Sequence, residues 1–309
     1  MPDQPNGLPQ IAGGAVVTVG TFDGVHRGHR EILRRVVERG TALSLPTLLV
    51  TFEPHPLRVV KPEAAPQLLT PGDEQFEALA ETGIAHVVVL PFTPTLAAYS
   101  ARAFVESLLI DRYRARALVM GYNHRFGRGR EGDADALAAL GARLGFDVDV
   151  VPPTLDGNHA PISSSRIRRA VAAGDLADAQ SALGRAYSLR GTVMHGSHRG
   201  RELGYPTLNI EVPSADKLLP PDGVYAVRAI GRRGTFGGMM NLGGRPTFGE
   251  TGRTIEVHLF EASGEWYGLP VAVEFVRRLR DTTRFATIDE LVAQLGRDAE
   301  AARVALTQA

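Results

Sequence analysis

The sequence predicts an α/β chain of two modules, a parallel sheet with helices on both faces and then a small antiparallel β-barrel with a C-terminal helix. Three observations carry this reading. Before about residue 183, short apolar runs alternate with helical patterns, the texture of right-handed βαβ units. After about Ala186 the runs turn short and β-rich, broken by Gly and Pro at roughly 8–12-residue intervals. A length of 309 residues suits two cores of about 100–200 residues each. The expected modules are 1–183 and 184–309, with no internal repeat between them.

In order, strands are expected at Ala15–Gly20, Pro46–Phe52, Val87–Leu90, Ala117–Met120 and Val148–Val151. Between them, helices are expected at Arg30–Arg39 and at Asp73–Thr82, the second closed by Gly83. Two more follow, at Ala101–Asp111 and near Asp135–Leu144, the last ending at Gly145. Helices near Ser165–Ala173 and Leu176–Ala182 finish this half. The second half offers strands at Tyr187–Met194, Tyr225–Ile230, Gly234–Met240, Thr254–Phe260 and Val271–Val276. One amphipathic helix, about Ile288–Leu306, ends it.

Composition excludes several chemistries. With 34 basic and 34 acidic residues, nothing drives the chain toward nucleic acid or an anionic membrane. Without cysteine there are no disulfides, thiol nucleophiles, iron–sulfur clusters or thiolate zinc sites. Lys61 and Lys217 are the only lysines, and neither sits in a Gly-Lys-Ser/Thr phosphate loop. No run of about 18 apolar residues suggests a membrane span. Met1–Gly14 lacks the basic start and apolar run of a signal peptide, so a cytoplasmic location is expected.

The first chemical constellation runs from Gly20 to His29, between the first strand and the first helix. Open α/β sheets bind ligands there, outside the carboxyl ends of their strands. Gly20, Gly24 and Gly28 allow close backbone approach, and Asp23 is placed to fix the turn. His26 and His29, three apart at a helix start, share a face near its positive dipole end. They could bind a triphosphate and stabilise charge at its α-phosphorus. The same pair could hold zinc, though cysteine cannot supply the further ligand, or could belong to an inert turn. A second helix start, Ser163-Ser164-Ser165-Arg166-Ile167-Arg168, offers hydroxyls, free N–H groups and delocalised cations for phosphate oxygens.

The second constellation runs from Gly191 to Glu256: Gly191–Gly196 leads into Arg199–Asn209, a Gly/Arg-rich flap followed by a Pro turn, with Glu256 on a later strand. Thr207 and Asn209 supply hard oxygens suited to Mg²⁺, which binds partly through phosphate and water. Alternation puts Glu256, His258 and Phe260 on one strand face, so Glu256 could act as general base for a hydroxyl nucleophile. It could equally be an edge-strand charge, and Arg199 and Arg201 a solvated turn.

The first module resembles the FMN adenylyltransferase half of the bacterial bifunctional riboflavin kinase/FAD synthetase family. The resemblance rests on GTFDGVHRGH, TFEPHP at Thr51–Pro56, Leu90–Leu109, GYNHRFG at Gly121–Gly127 and ISSSRIR. RGRELGYPTLN, PDGVYAVRA, NLGGRPTFG, EVHLF and WYG are similar to the riboflavin kinase module, so the resemblance covers nearly the whole chain after the first dozen residues. It implies a Rossmann-like nucleotidyltransferase fold followed by a riboflavin kinase barrel. ATP contacts would fall on Gly20, Phe22, Asp23, Gly24, His26, Gly28 and His29, with Asn123 orienting ligand and Ser163, Ser164 and Arg168 holding phosphates. In the barrel it implies Mg-nucleotide at Thr207 and Asn209, with Gly204 and Pro206 in the binding turn, and Glu256 as base. Riboflavin, FMN, FAD and ATP are the implied substrates and products. Departures from the family pattern are His124 for Phe, Ser165 for Thr, Gln67 for a basic residue and Leu208 for Ala. Two rival readings are a single nucleotidyltransferase with an accessory barrel and a flavin-binding or RNA-associated regulator. The neutral charge weighs against RNA.

Overall fold

The computed structural model describes residues 13–196, 199–245 and 250–308. The chain forms two compact units. One comprises residues up to Pro66 with Gln75–Ser163, and the other comprises Gln67–Glu74 with the residues from Ser164 onward.

The first unit's strands are β1 (Ala15–Val19), β2 (Thr47–Glu53), β3 (His86–Pro91), β4 (Ala115–Gly121) and β5 (Asp147–Val151). All pair in parallel, in the order β3-β2-β1-β4-β5. Its helical segments are α1 (Arg27–Leu43), α2 (Pro56–Val60), α3 (Asp73–Ala80, from Gln75 onward), α4 (Pro94–Ala97), α5 (Ala101–Phe104) and α6 (Ala134–Leu144). Both faces of the central strands are buried, as βαβ crossovers require. Val17, Val19, Leu48, Val50 and Leu118 pack with Phe104 and Leu137 on one side. Val16, Ala117 and Val119 pack with Val36 of α1 on the other. Chain order reverses between β1 and β4, which opens a crevice at their carboxyl ends.

Two expected helices of this unit take a different form. Helix α1 starts at Arg27 rather than Arg30, because His26 caps it in place of the usual Ser, Thr, Asp or Asn. The helix expected over Ala101–Asp111 widens after α5 into a π-turn at Val105–Ile110, where the Asp111 N–H reaches the Glu106 carbonyl at 2.9 Å.

The second unit opens with α7 (Ser164–Ala173) and α8 (Leu176–Leu183). Six strands follow: β6 (Ser188–Met194), β7 (Leu208–Glu211), β8 (Gly223–Gly231), β9 (Gly234–Arg245), β10 (Glu250–Leu259) and β11 (Pro270–Arg280). A short α9 (Arg199–Glu202) precedes β7, and α10 (Ile288–Thr307) ends the chain. The strands close into a barrel, β10-β7-β6-β11-β8-β9, and closure removes free edges. Ala302 and Ala305 of α10 pack on Ala226, Met239 and Phe260.

These units are drawn differently from the sequence division at 183/184. Helices α7 and α8 go with the barrel, joined to each other by the Arg166–Asp178 pair at 2.5 Å. The strap Gln67–Glu74 goes with it too: Leu68 N–H donates to the Asp216 carbonyl at 2.7 Å, and the Leu68 carbonyl accepts from Leu218 N–H at 2.8 Å.

Candidate active sites

The loop from Gly20 to His29 leaves β1 at the reversal of strand order, and Asn123 follows β4 at the same edge of the sheet. Phe22 (φ 46°), Gly24 (φ 87°) and Val25 (φ 38°) all adopt left-handed backbone, uncommon for Phe and rarer still for β-branched Val. The turn closes with Val25 N–H donating to the Phe22 carbonyl at 3.1 Å. Its inward side chains are fixed: Phe22, Asp23, Val25 and His26 are all buried.

His26 is the N-cap of α1, its Nδ1 accepting from His29 N–H at 3.2 Å. An accepting Nδ1 carries a lone pair, which puts the neutral ring's proton on Nε2. The two imidazoles stack, centroids 3.6 Å apart and planes 17° from parallel, and Phe22 flanks His29 at 4.9 Å. Close packing sets the limit at Gly28, where a Cβ would lie 3.2 Å from His26 Cε1 and 3.6 Å from the Ile162 carbonyl. The expected face-sharing of the two histidines is therefore realised as a stack over a helix N-terminus, where a positive dipole end and N–H groups favour anions.

His55, within the TFEPHP segment, carries no signal of its own in the sequence. It follows β2 at the same edge of the sheet and caps α2, its Nδ1 accepting from Leu57 N–H at 3.2 Å. His124 stands in the turn after β4, 5.9 Å from the Phe126 ring. Ser163 ends the first unit, while Ser164 and Arg168 lie on α7 in the second. Arg166, read from sequence as a cation for phosphate, forks onto Asp178 (Nη2–Oδ1 2.5 Å, Nε–Oδ2 3.3 Å).

In the barrel, register assembles the second constellation. Glu256 on β10 is directly opposite Asn209 on β7 and Asn241 on β9, and opposed residues share a sheet face. The alternating Ile255, Val257 and Leu259 point into the core, leaving Glu256 and His258 on the other face, half-buried. Thr207, two residues before Asn209, precedes β7. It is reached through a tight turn in which Tyr205 N–H donates to the Gly200 carbonyl at 2.7 Å and Gly204 takes φ 84°.

His258 Nδ1 donates to the Pro206 carbonyl at 2.8 Å, which ties this turn to β10. Asn209 is crowded by Gly196, where a Cβ would collide with its amide nitrogen. Asn241 and the anchoring role of His258 were missed from sequence. Asn241 depends on cross-strand register, which one strand's pattern does not encode. Of the quoted NLGGRPTFG segment, residues 246–249 lie outside the described residues.

The donors at Thr207 and Asn209 are a hydroxyl and an amide beside one carboxylate. Among the described residues, no group of three or more His, Cys, Asp or Glu converges to hold a metal alone. That set fits Mg²⁺ bound largely through phosphates and water rather than a dedicated cage.

Comparison with known proteins follows the same division of labour. Residues 8–166 match the FAD synthetase family model, and residues 183–306 match the riboflavin kinase model. The bifunctional riboflavin kinase/FMN adenylyltransferase of Escherichia coli (strain K12) is 39% identical over 291 residues, spanning 94% of this chain and 92% of that protein. That of Haemophilus influenzae is 35% identical over 296 residues, 95% of each. A solved Streptococcus pneumoniae structure, described as a macrolide-efflux protein, superposes with a TM-score of 0.84 at 32% identity, covering 94% of this chain and 95% of that one. No helix among the described residues is long and apolar enough to cross a membrane. With both models matched in order along nearly its whole length, the chain belongs to the bifunctional riboflavin kinase/FMN adenylyltransferase family.

Proposed function

We propose that the chain makes FAD in two ATP-dependent steps, with Glu256 as base of the first and the His26–His29 stack as charge stabiliser of the second. In the barrel, the ribityl 5′-hydroxyl of riboflavin attacks the γ-phosphorus of ATP and Glu256 accepts its proton. The γ-phosphorus–oxygen bond breaks, and ADP and FMN result. Thr207 and Asn209 would hold Mg²⁺, which when bound neutralises charge on the transferring phosphate. Such transfer relies on positioning and electrostatics. The observation that supports this assignment is the register of Glu256 with Asn209, which puts a carboxylate opposite one of the two metal-type donors.

In the adenylyltransferase module, a phosphate oxygen of FMN attacks the α-phosphorus of a second ATP and pyrophosphate leaves. The FMN phosphate is already ionised at neutral pH, so no general base is needed. His26 and His29 stabilise the charge that develops at the α-phosphorus. Ser163, Ser164 and Arg168 are the candidates for further phosphate oxygens and Asn123 for orienting ligand, on the motifs they match. A cytoplasmic setting, where ATP is at hand, belongs to the same reading.

Separating flavins after incubation with riboflavin, ATP and Mg²⁺ tests both roles. His29→Ala should stop FAD formation and leave FMN formation, whereas Glu256→Ala should stop FMN formation yet convert supplied FMN to FAD. Either variant retaining the activity it should lose removes that residue from its role.

A further inference from the structure

Helix α3 begins with two adjacent residues fixed by different partners. Glu74 is buried and forms an ion pair with Lys217 Nζ, while its Oε1 accepts from Arg190 N–H at 3.0 Å. Lys217 Nζ also donates to the Leu69 carbonyl at 2.7 Å and sits 4.6 Å from the centre of the Tyr187 ring. The next residue, Gln75, donates from Nε2 to the carbonyl of Thr21. That carbonyl has one other hydrogen bond here, a long one at 3.4 Å from the Thr51 hydroxyl.

Thr21 opens the segment in which Phe22, Gly24 and Val25 take left-handed backbone just before the His26 cap. Side-chain-bearing residues persist in such conformations only where their surroundings over-determine them. Gln75 grips the entry to this turn by a much shorter bond than the Thr51 hydroxyl makes. From sequence it is one polar residue in an amphipathic helix, and nothing marks it.

We infer that Gln75 is a positioning residue for adenylyl transfer. Its amide clamps the Thr21 carbonyl and so holds the Phe22–Val25 turn and the stacked His26 and His29 in place. This role rests on the reading that the Gly20–His29 loop binds ATP.

The test compares Gln75→Ala, Gln75→Glu and Gln75→Lys in the full chain. Gln75→Glu keeps length and helix propensity but loses the donor, whereas Gln75→Lys keeps a donor of different shape. FAD formation from FMN and ATP is measured at steady state, with riboflavin phosphorylation by the same chain reporting folding. Gln75→Ala and Gln75→Glu should lose about 3–10-fold in kcat for FAD formation, the effect of one hydrogen bond, with ATP KM changed less. Riboflavin phosphorylation should stay at the wild-type rate. Gln75→Lys should return kcat to within about two-fold of wild type.

Wild-type kcat in both Gln75→Ala and Gln75→Glu, or a Gln75→Lys no better than Gln75→Ala, overturns the role. His29→Ala in the same assay separates the two possible failures. If it forms FAD normally, the ATP-loop reading has failed. If it is inactive while the Gln75 variants are normal, only the role of Gln75 has failed.

Discussion

His26 shows how one residue carries several layers of the argument. Its spacing from His29 already indicates a shared helix face, and the coordinates add that its Nδ1 is spent on the cap, which fixes the tautomer. Asn209 and Asn241 show the opposite case. Each is an ordinary strand asparagine until register sets them on either side of Glu256. Arg166 reads in sequence as a phosphate ligand and in space as the partner of Asp178, because only folding brings α8 to it.

Gly196 lies close against Asn209, with no room for a side chain. A methyl group there must displace the Asn209 amide from beside Glu256. Misplacement of that order costs roughly 10–100-fold. Gly196→Ala should therefore lower kcat for FMN formation by about that factor, while FAD formation from supplied FMN is unchanged. Stopped assays on the two half-reactions measure it.

At the scale of elements, long patterned segments were legible and short ones were not. The five parallel strands and α10 follow from apolar runs and periodicity. Strand β7 was missed because its four residues, Leu208–Glu211, lie between Pro206 and Pro213 and carry too little pattern. Its existence depends on pairing with β6 and β10. The one-turn helices α2 and α4 begin at prolines after His55 and Thr93, a signal readable as either turn or helix.

Helix α10 was predicted from its apolar face, but its attachment includes a charged anchor that periodicity cannot show. Asp298, 3% exposed, accepts a fork from Arg280 at 2.9 and 2.6 Å and a hydrogen bond from Gln294 at 2.8 Å. Removing one partner of a buried pair leaves the other charge uncompensated. Asp298→Ala should lower stability to urea by about 3 kcal/mol, and a loss well under ~1 kcal/mol would show that the apolar contacts of Ala302 and Ala305 suffice to hold the helix.

Across the whole molecule, the change from alternating strand and helix patterns to short β-rich runs divides the chain at 183/184, while its contacts assign the strap Gln67–Glu74 to the second unit. No local pattern announces this, since the strap's partners lie more than 140 residues away, at Asp216, Lys217 and Leu218. In a chain whose other basic residues, Lys61 apart, are arginines, the buried cation at this junction is a lysine, whose compact ammonium reaches both the Leu69 carbonyl and Glu74.

The pair makes stability depend on pH in a definite direction. Burial pushes the Glu74 carboxyl above the ordinary glutamate range, against the Lys217 ammonium and the Arg190 N–H, which pull it down. The folded chain therefore holds this proton more tightly than the unfolded chain. Stability from Glu74 is greatest at the acid side and declines as pH rises from the ordinary glutamate range through the raised value. Gln at this position cannot titrate, and the remaining carboxylates act alike in both proteins. Urea unfolding of wild type and Glu74→Gln should thus give a stability difference that shifts in favour of the variant as pH rises across that window. A difference that stays flat, or moves toward wild type, would mean that Lys217 outweighs burial and that the carboxylate is stabilised in its ionised form.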